Sequence, residues 1–376
     1  MKNIIKRINI EMFRGIKNLD IENLNKINIF VGDNNVGKTS ILEAIRVLGS
    51  ASFNNLLQVA GSRGNSNIYF YSSFENFIYL FPRLDKKSRI HISADFYNQN
   101  YIDFDLNGRI DTVLFDLNEL PSFLKERHKR LSEIKGGGIT TFNSVIKQFN
   151  GLLKVNSSFL KVPVTLDVTY NYYSQLSGRR IDRNSTLVRM SYLSPLSYLV
   201  EDVFNNIIRN DIYKEICIEI LHLFDKDIVD LVIMKDEEGI SHTEYIKSAK
   251  KGMMPLNTYG DGIKKVLSIA NGIAQAHDGI LLIDEIETSI HAKYYDDIFN
   301  FIVKAVKMFN VQLFITTHSI EAMDGLLSTQ SYNDTDEEVI SVITLRKDND
   351  NNTLSRTMTG KEVKNNRDKF NFEVRV

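Results

Sequence analysis

The 376-residue sequence holds one cysteine, Cys217, so no internal disulfide can staple the fold. It has no uninterrupted apolar run of 18 or more residues, and no segment reads as a membrane-spanning helix. The N-terminus, Met1 to Ile10, is positively charged early. It lacks both a continuous apolar core and a small-residue cleavage site, and reads as a first strand. Heptads, internal repeats and long low-complexity tracts are absent, which speaks against a coiled-coil arm. An excess of one charge is also missing: 46 lysines and arginines face 47 acids, a formal net of −1, so no global field draws in nucleic acid. Any such binding must come from local patches. Cys217 sits in an apolar helical pattern as a buried filler, and the cytoplasm is the expected compartment. With 43% hydrophobic residues, the chain can build the core of one large or two moderate domains.

What is present starts with residues 32 to 39, Gly-Asp-Asn-Asn-Val-Gly-Lys-Thr, a complete G-x-x-x-x-G-K-[ST] pattern. It follows the apolar run Ile27 to Val31 and precedes a helical stretch, Thr39 to Leu48. Gly32 and Gly37 let the backbone curl so that N–H groups around Asn34 and Asn35 point at phosphates, and the following helix turns its positive end to the same anion. Lys38 is expected to reach the β- and γ-phosphates of a bound nucleoside triphosphate and Thr39 to ligand Mg²⁺, with Ser40 completing the set. A plain glycine-rich turn would not need this strand before it and this helix after it.

Some 220 positions later, Gly279 to Ile283 is an apolar strand ending in Asp284-Glu285. A buried parallel strand delivers such carboxylates to the carboxyl edge of a sheet. Asp284 suits Mg²⁺, and Glu285 suits an attacking water. Val311 to Thr317 is another such strand, and His318 after it is placed to hydrogen-bond the γ-phosphate or the water. Taken singly these signals are weak, because acids at a strand end also cap helices and a lone histidine is more often structural. Their fixed order is what carries the reading. Between them, Leu256-Asn257-Thr258-Tyr259-Gly260-Asp261-Gly262 precedes periodic Ile263, Val266, Leu267, Ile269, Ala270 and Ile273. This is a glycine-containing turn opening a helix, although an ordinary Asp-capped start reads the same way.

Together these segments resemble ATPases of the ABC type, specifically the RecF, SMC and overcoming-lysogenisation-defect (OLD) branch, and the resemblance runs nearly end to end. It implies an α/β fold: an ABC-type head with a mixed β core around the phosphate loop, an antiparallel β subdomain and a helical signature lobe. Ile8 to Leu19 is similar to the opening strands of such heads, in which an arginine at the position of Arg14 approaches the phosphates. Ile283 to His291 resembles the DE-x-E-x-x-L-H segment of OLD-like single heads, and Thr316 to Ser319 matches their switch histidine. By the same resemblance Lys38, Glu285 and His318 are catalytic, Thr39 and Asp284 hold the metal, and Gly260, Asp261 and Gly262 form the signature turn. That turn reads Thr-Tyr-Gly-Asp-Gly instead of a Leu-Ser-Gly-Gly-Gln type, and Ile290 stands where leucine is usual, a volume-conserving change. Phe372 to Arg375 resembles the E-V-R ending of stand-alone heads, which would make the chain complete.

Along the chain, residues 1–118 read as an N-terminal lobe with the phosphate loop and antiparallel strands. Tyr69 to Phe81 fits a helix, Arg89 to Tyr97 and Ile102 to Leu106 alternate as strands, and Asn107-Gly108 signals a hairpin turn. Residues 119–160 read as an insertion: a charged helix, Leu124 to Leu131, and a break at Lys135 to Gly138, most simply a solvated face. In 161–262, Val162 to Tyr173 reads as a strand, Arg179 to Arg183 is a basic cluster, and 198–225 is periodic as a helix. Residues 263–376 carry the acids, His318 and the acidic loop Asp334 to Glu338.

In such heads two copies face each other with ATP and Mg²⁺ at the seam, each signature helix pointing at the other's γ-phosphate. The resemblance thus implies a homodimer or higher homo-oligomer and slow, switch-like turnover. Nothing after His318 reads as a nuclease, so the leading expectation is a switch controlling a separate effector, a nuclease or toxin, in anti-phage defence. The alternative is a RecF-like clamp gripping duplex DNA in repair. No membrane partner is expected.

Overall fold

The computed structural model describes residues 4–62, 73–82, 88–116, 143–173, 185–199, 202–235, 242–332 and 338–370. A hairpin, β1 (Ile5–Phe13) and β2 (Ile16–Ile21), leads into β3 (Ile27–Gly32), the phosphate loop and helix α1 (Lys38–Val47). Helices α2 (Phe53–Gly61) and α3 (Ser73–Ile78) follow, then β4 (Ser88–Phe96), β5 (Tyr101–Asp116), β6 (Asn143–Ser157) and β7 (Val164–Asn171). After β8 (Met190–Leu193) come α4 (Asp211–Leu221) and a meander, β9 (Ile228–Lys235), β10 (His242–Ser248) and β11 (Gly252–Pro255). The chain continues through α5 (Asp261–Gln275), β12 (Ile280–Ile283), α6 (Tyr295–Met308), β13 (Gln312–Thr316) and α7 (Ile320–Ser328). It then forms β14 (Ile340–Lys347), β15 (Thr353–Thr359) and α8 (Gly360–Phe370).

One sheet runs β15-β14-β3-β13-β12-β8, parallel except for β15. Its inner strands are buried on both faces, which is why Ile27 to Val31 and Ile280 to Ile283 are almost uniformly apolar. Alternation along them divides the core in two. Ile27, Ile29, Val31, Leu281, Ile283, Leu313 and Ile315 pack with α4, α5, α6 and α7. Phe30, Ile280, Leu282 and Phe314 face the other way, onto α1, α2, α3 and the second sheet. That sheet, β2-β1-β4-β5-β6-β7, is antiparallel throughout. Two buried amides join the layers: the Gln312 side chain accepts from Ile5 N and donates to the carbonyls of Ile5 and Asn25, and Asn28 Nδ2 donates to Asn25 and Leu313. Both amides placed in the core are thereby matched.

Several expectations are corrected. Asn107-Gly108 is not a turn, because β5 continues through it to Asp116 and pairs with β6 along its whole length. Gly108 lies opposite Gly151, and a Cβ there would stand 2.5 Å from the Phe149 ring, so this glycine makes room for an aromatic ring across the strand pair. Asn143–Ser157, assigned to the insertion, is instead β6, in register with β5 and β7. Of the described residues of the periodic stretch 198–225 only Asp211–Leu221 is α-helix, while Val203 and Phe204 are buried from irregular backbone and Ile207 from a turn. Of Tyr69 to Phe81, Ser73–Ile78 is helical. Val164–Asn171 is a strand as expected, and Cys217 is buried beside Tyr213, its thiol pushed up to about 12 by burial. The charged helix 124–131, the break 135–138, the cluster 179–183, most of the acidic loop 334–338 and the ending 372–375 lie outside the described residues. Among the described residues no helix is long and apolar enough to cross a membrane.

On the outer face of the antiparallel sheet, His91 bridges Glu11 at 2.8 Å and Asp103 at 2.6 Å. Burial lowers the imidazole pKa, but the two carboxylates together outweigh that and leave it above 6.5. Stability from the charged bridge is therefore fully present below pH 6.5 and lost as pH rises through the folded value. His91→Gln should consequently depress the melting temperature more at pH 6 than at pH 9, measured by thermal denaturation against the parent at each pH. An equal depression at both would refute the charged bridge.

Candidate functional site

β3 ends at Gly32, whose φ of 138° no other residue type adopts without strain, and a Cβ there would stand 2.3 Å from the Leu345 carbonyl of β14. Asn35 at φ 64° and Gly37 at φ 106° complete the curl and aim the chain into α1. Asp33, Asn34 and Asn35 are exposed at the rim, whereas Lys38 is buried. The ammonium donates to the carbonyls of Gly32 at 2.6 Å and Asp33 at 2.9 Å, so it lies across the mouth of its own loop. Burial pushes its pKa below the usual lysine range, against the pull of Asp284, Asp33, Glu287 and Glu285.

The parallel register of β12 with β13 and of β13 with β3 carries the acids to this loop across the sheet. Thr39 Oγ1, in the first turn of α1, donates to Asp284 at 2.9 Å. Asp284 also accepts from Thr316 Oγ1 at 2.5 Å, and the same hydroxyl accepts the Glu285 N–H at 2.8 Å. This clasp holds Glu285 at φ 50°, in the left-handed region, directing its backbone sharply away from the strand. His318 Nε2 stands 4.0 Å from Glu285 Oε1, and the His318 N–H donates to Glu287 Oε1 at 2.7 Å. Lys38, Thr39, Asp284, Glu285 and His318 are thus gathered at the carboxyl edge of one sheet.

The turn Gly260-Asp261-Gly262 does open a helix, α5, with Gly260 at the N-cap and no side-chain cap. Gly260 and Asp261 are exposed, and Gly262 packs on Ser289: a Cβ there would stand 3.3 Å from the Ser289 carbonyl. Arg14 is at the tip of the β1–β2 hairpin with φ 51°, its guanidinium bound to the fully buried Glu43 of α1, Nε to Oε2 at 2.7 Å and Nη2 to Oε1 at 3.2 Å. The hairpin also reaches the phosphate loop, where Ile16 borders Gly37.

Two residues escaped the sequence reading as participants. Thr316 appears there only as part of a strand end, because a hydroxyl that clamps two neighbours from an adjacent strand leaves no local pattern. Glu287 appears only as a letter of a resemblance; its grip on the His318 backbone spans two loops. Thr316 is 0% exposed, so Thr316→Val leaves Asp284 Oδ1 with only the longer Thr39 contact at 3.2 Å and the Glu285 N–H without this acceptor, at nearly constant volume. A loss of about 1–3 kcal/mol in urea denaturation is expected, with reduced ATP turnover. Parental stability and parental turnover together would show the clasp to be idle.

Over 356 residues the chain is 22% identical to an ATP/GTP phosphatase of Helicobacter pylori, covering 88% of this chain and 90% of that protein. It is 27% identical over 225 residues to a DNA replication and repair protein RecF of Agathobacter rectalis, covering 54% of this chain and 59% of that protein. Among solved structures, an SMC head bound to the C-winged helix domain of ScpA aligns with a TM-score of 0.48 at 12% identity, over 96% of this chain and 99% of that one. The family model described as AAA domain, putative AbiEii toxin, Type IV TA system matches residues 27–324; the chain belongs to that family and is a P-loop ATPase.

Proposed function

We propose that this ATPase works as a switch: two copies close head to head around ATP and Mg²⁺, and hydrolysis lets them part. The observation that carries the proposal is the start of α5, exposed, uncapped by any side chain and seated against the loop that follows the catalytic acids. Such a helix end offers N–H groups and a positive dipole to an anion outside its own chain. In this reading Gly260, Asp261 and Gly262 complete the partner copy's nucleotide site.

Within one head, the N–H groups of Gly32 to Thr39, with Asn34, Asn35 and Ser40, cradle the phosphates. Lys38 leaves the carbonyls of Gly32 and Asp33 for the β- and γ-phosphates. Thr39 and Asp284 converge as a hydroxyl and a carboxylate, a hard-oxygen pair that suits Mg²⁺ held jointly with phosphate and water. When bound, the ion neutralises charge developing on the phosphates. Glu285, aimed by the Thr316 clasp, takes the proton of the attacking water, and His318 senses the γ-phosphate. Arg14, steered by Glu43, lies on the approach to the phosphates.

The output is a separate effector, a nuclease or toxin, held or released in anti-phage defence. The family description speaks of a putative AbiEii toxin and a Type IV TA system, which sets the family itself, and not a partner of it, in that context.

Glu285→Gln should retain ATP binding and hydrolyse at least about a hundredfold more slowly, since a general base is typically worth 10² to 10⁴. A rate equal to the parent's would remove Glu285 from its role. Lys38→Ala and Gly262→Arg should each be inactive, one lacking the phosphate contact and the other blocking the donated helix end. Mixed, they still form one intact composite site per heterodimer, and phosphate release should recover to at most about half of the parental sites. No recovery at any ratio, with mixed dimers shown to form, would favour a site completed within one chain. Pull-down from the native host should recover an effector; salt-sensitive binding of duplex DNA with no protein partner would redirect the account to a DNA clamp.

A further inference from the structure

One helical turn beyond the exposed start of α5, Lys265 turns back into its own head. Its side chain is only 2% exposed. Among the described residues its ammonium has a hydrogen bond to the Pro195 carbonyl at a long 3.5 Å, and it lies 6.0 Å from the centre of the Tyr198 ring. Burial lowers its pKa to about 8, opposed first by the charge of Glu287 and then by those of Asp284 and Glu285. On the other side of this gap Glu287 gives Oε1 to the His318 N–H, while its Oε2 is buried with no hydrogen bond among the described residues. Tyr198, beneath the lysine, is itself bonded to Ser289 of the same acidic loop at 2.8 Å.

On the two sides of the seam between α5 and the loop after β12 thus stand a buried ammonium and a half-buried carboxylate whose Oε2 is enclosed, each incompletely satisfied among the described residues, and the charge of Glu287 is the first to oppose the burial of Lys265. Unpaired charges in such a place are strongly unfavourable, and their mutual attraction is the compensation that geometry allows. It also depends steeply on how α5 sits. We infer that Lys265 is a positioning residue: through Glu287 it couples the seating of α5 to the backbone of His318, so that the helix offered to a partner's nucleotide also sets the geometry of its own head's chemistry. This rests on the shared-site reading proposed above. It gives that reading a route by which engagement of one site reports to the other, since the end of α5 and Lys265 move as one rigid rod.

The test is a double-mutant cycle in ATP turnover. Lys265→Met keeps the length and apolar stem but removes the charge. It should lower kcat about tenfold with KM for ATP within about twofold, because the ammonium is buried against the Pro195 carbonyl and the Tyr198 ring and acts through its neighbours. Glu287→Gln keeps an acceptor for the His318 N–H. Added to Lys265→Met, it should restore part of kcat, because no carboxylate is then left facing methionine. Parental kcat in Lys265→Met, effects that simply multiply, or a fall in melting temperature that accounts for the lost activity would each overturn the inference.

Mixed dimers give the second arm. Lys265→Met placed on a chain blocked instead by Gly260→Arg, where a side chain meets open space and the chain's own phosphate loop stays working, should suppress the activity recovered on mixing with Lys38→Ala. Placed on the Lys38→Ala chain, which only donates its helix, it should leave the recovery in place. Loss that follows the donating chain would overturn the coupling within one head. Absence of recovery even without the lysine change would instead remove the shared site, and the cycle would still decide the role of Lys265.

Discussion

Asp284 holds together three elements that are far apart in sequence. Thr39 reaches it from the first turn of α1, Thr316 from the end of β13, and its own N–H donates to the Leu193 carbonyl of β8. Through the same Thr316 hydroxyl the backbone of Glu285 is fixed in a conformation it would not choose alone. A buried carboxylate is unfavourable unless its lone pairs are filled, and hydroxyl donors fill them without adding charge. The clasp therefore leaves the site its negative character while making its geometry rigid.

That rigidity is inherited from the layers beneath. The parallel strands β3, β13 and β12 are buried on both faces, and their alternating side chains bind two separate cores into one sheet. Stacking of Phe30 on Phe314, with ring centroids 6.2 Å apart, fixes adjacent strands just below the phosphate loop and the clasp. A site on strand ends held this way moves as the sheet moves, which suits chemistry that depends on positioned charge more than on covalent steps. The start of α5, by contrast, is exposed and has no side-chain cap, and the proposed switch uses it as the part completed from outside.

Most of the site was legible in the sequence because its parts are contiguous: the loop from Gly32 to Thr39, the acids after β12, the histidine after β13 and the glycine turn before α5 each carry a local signature. What was misread depended on partners. Asn107-Gly108 signals a turn only when the glycine takes a positive φ; here its missing side chain serves the ring of Phe149 from the next strand. The stretch before Asp211 has helical spacing, yet Val203 and Phe204 are buried from irregular backbone and Ile207 from a turn, since periodicity reports which residues face the core and not how the backbone gets them there. The Lys265–Glu287 relation was hidden for the same reason: the two residues sit on different elements, and a lysine on an apolar helix face reads as an ordinary helical position. The strands of the antiparallel sheet, by contrast, were readable wherever one face is solvated, as in β4.

A chain with almost no net charge, a sheet-edge nucleotide site and a helix end aimed outward is suited to binding a second copy of itself under nucleotide control. The central claim is that ATP, and not ADP, joins the heads. Sedimentation of Glu285→Gln with Mg²⁺ and either nucleotide tests it most directly. The account predicts a doubled mass in ATP and the single-chain mass in ADP; the same mass in both nucleotides would contradict it.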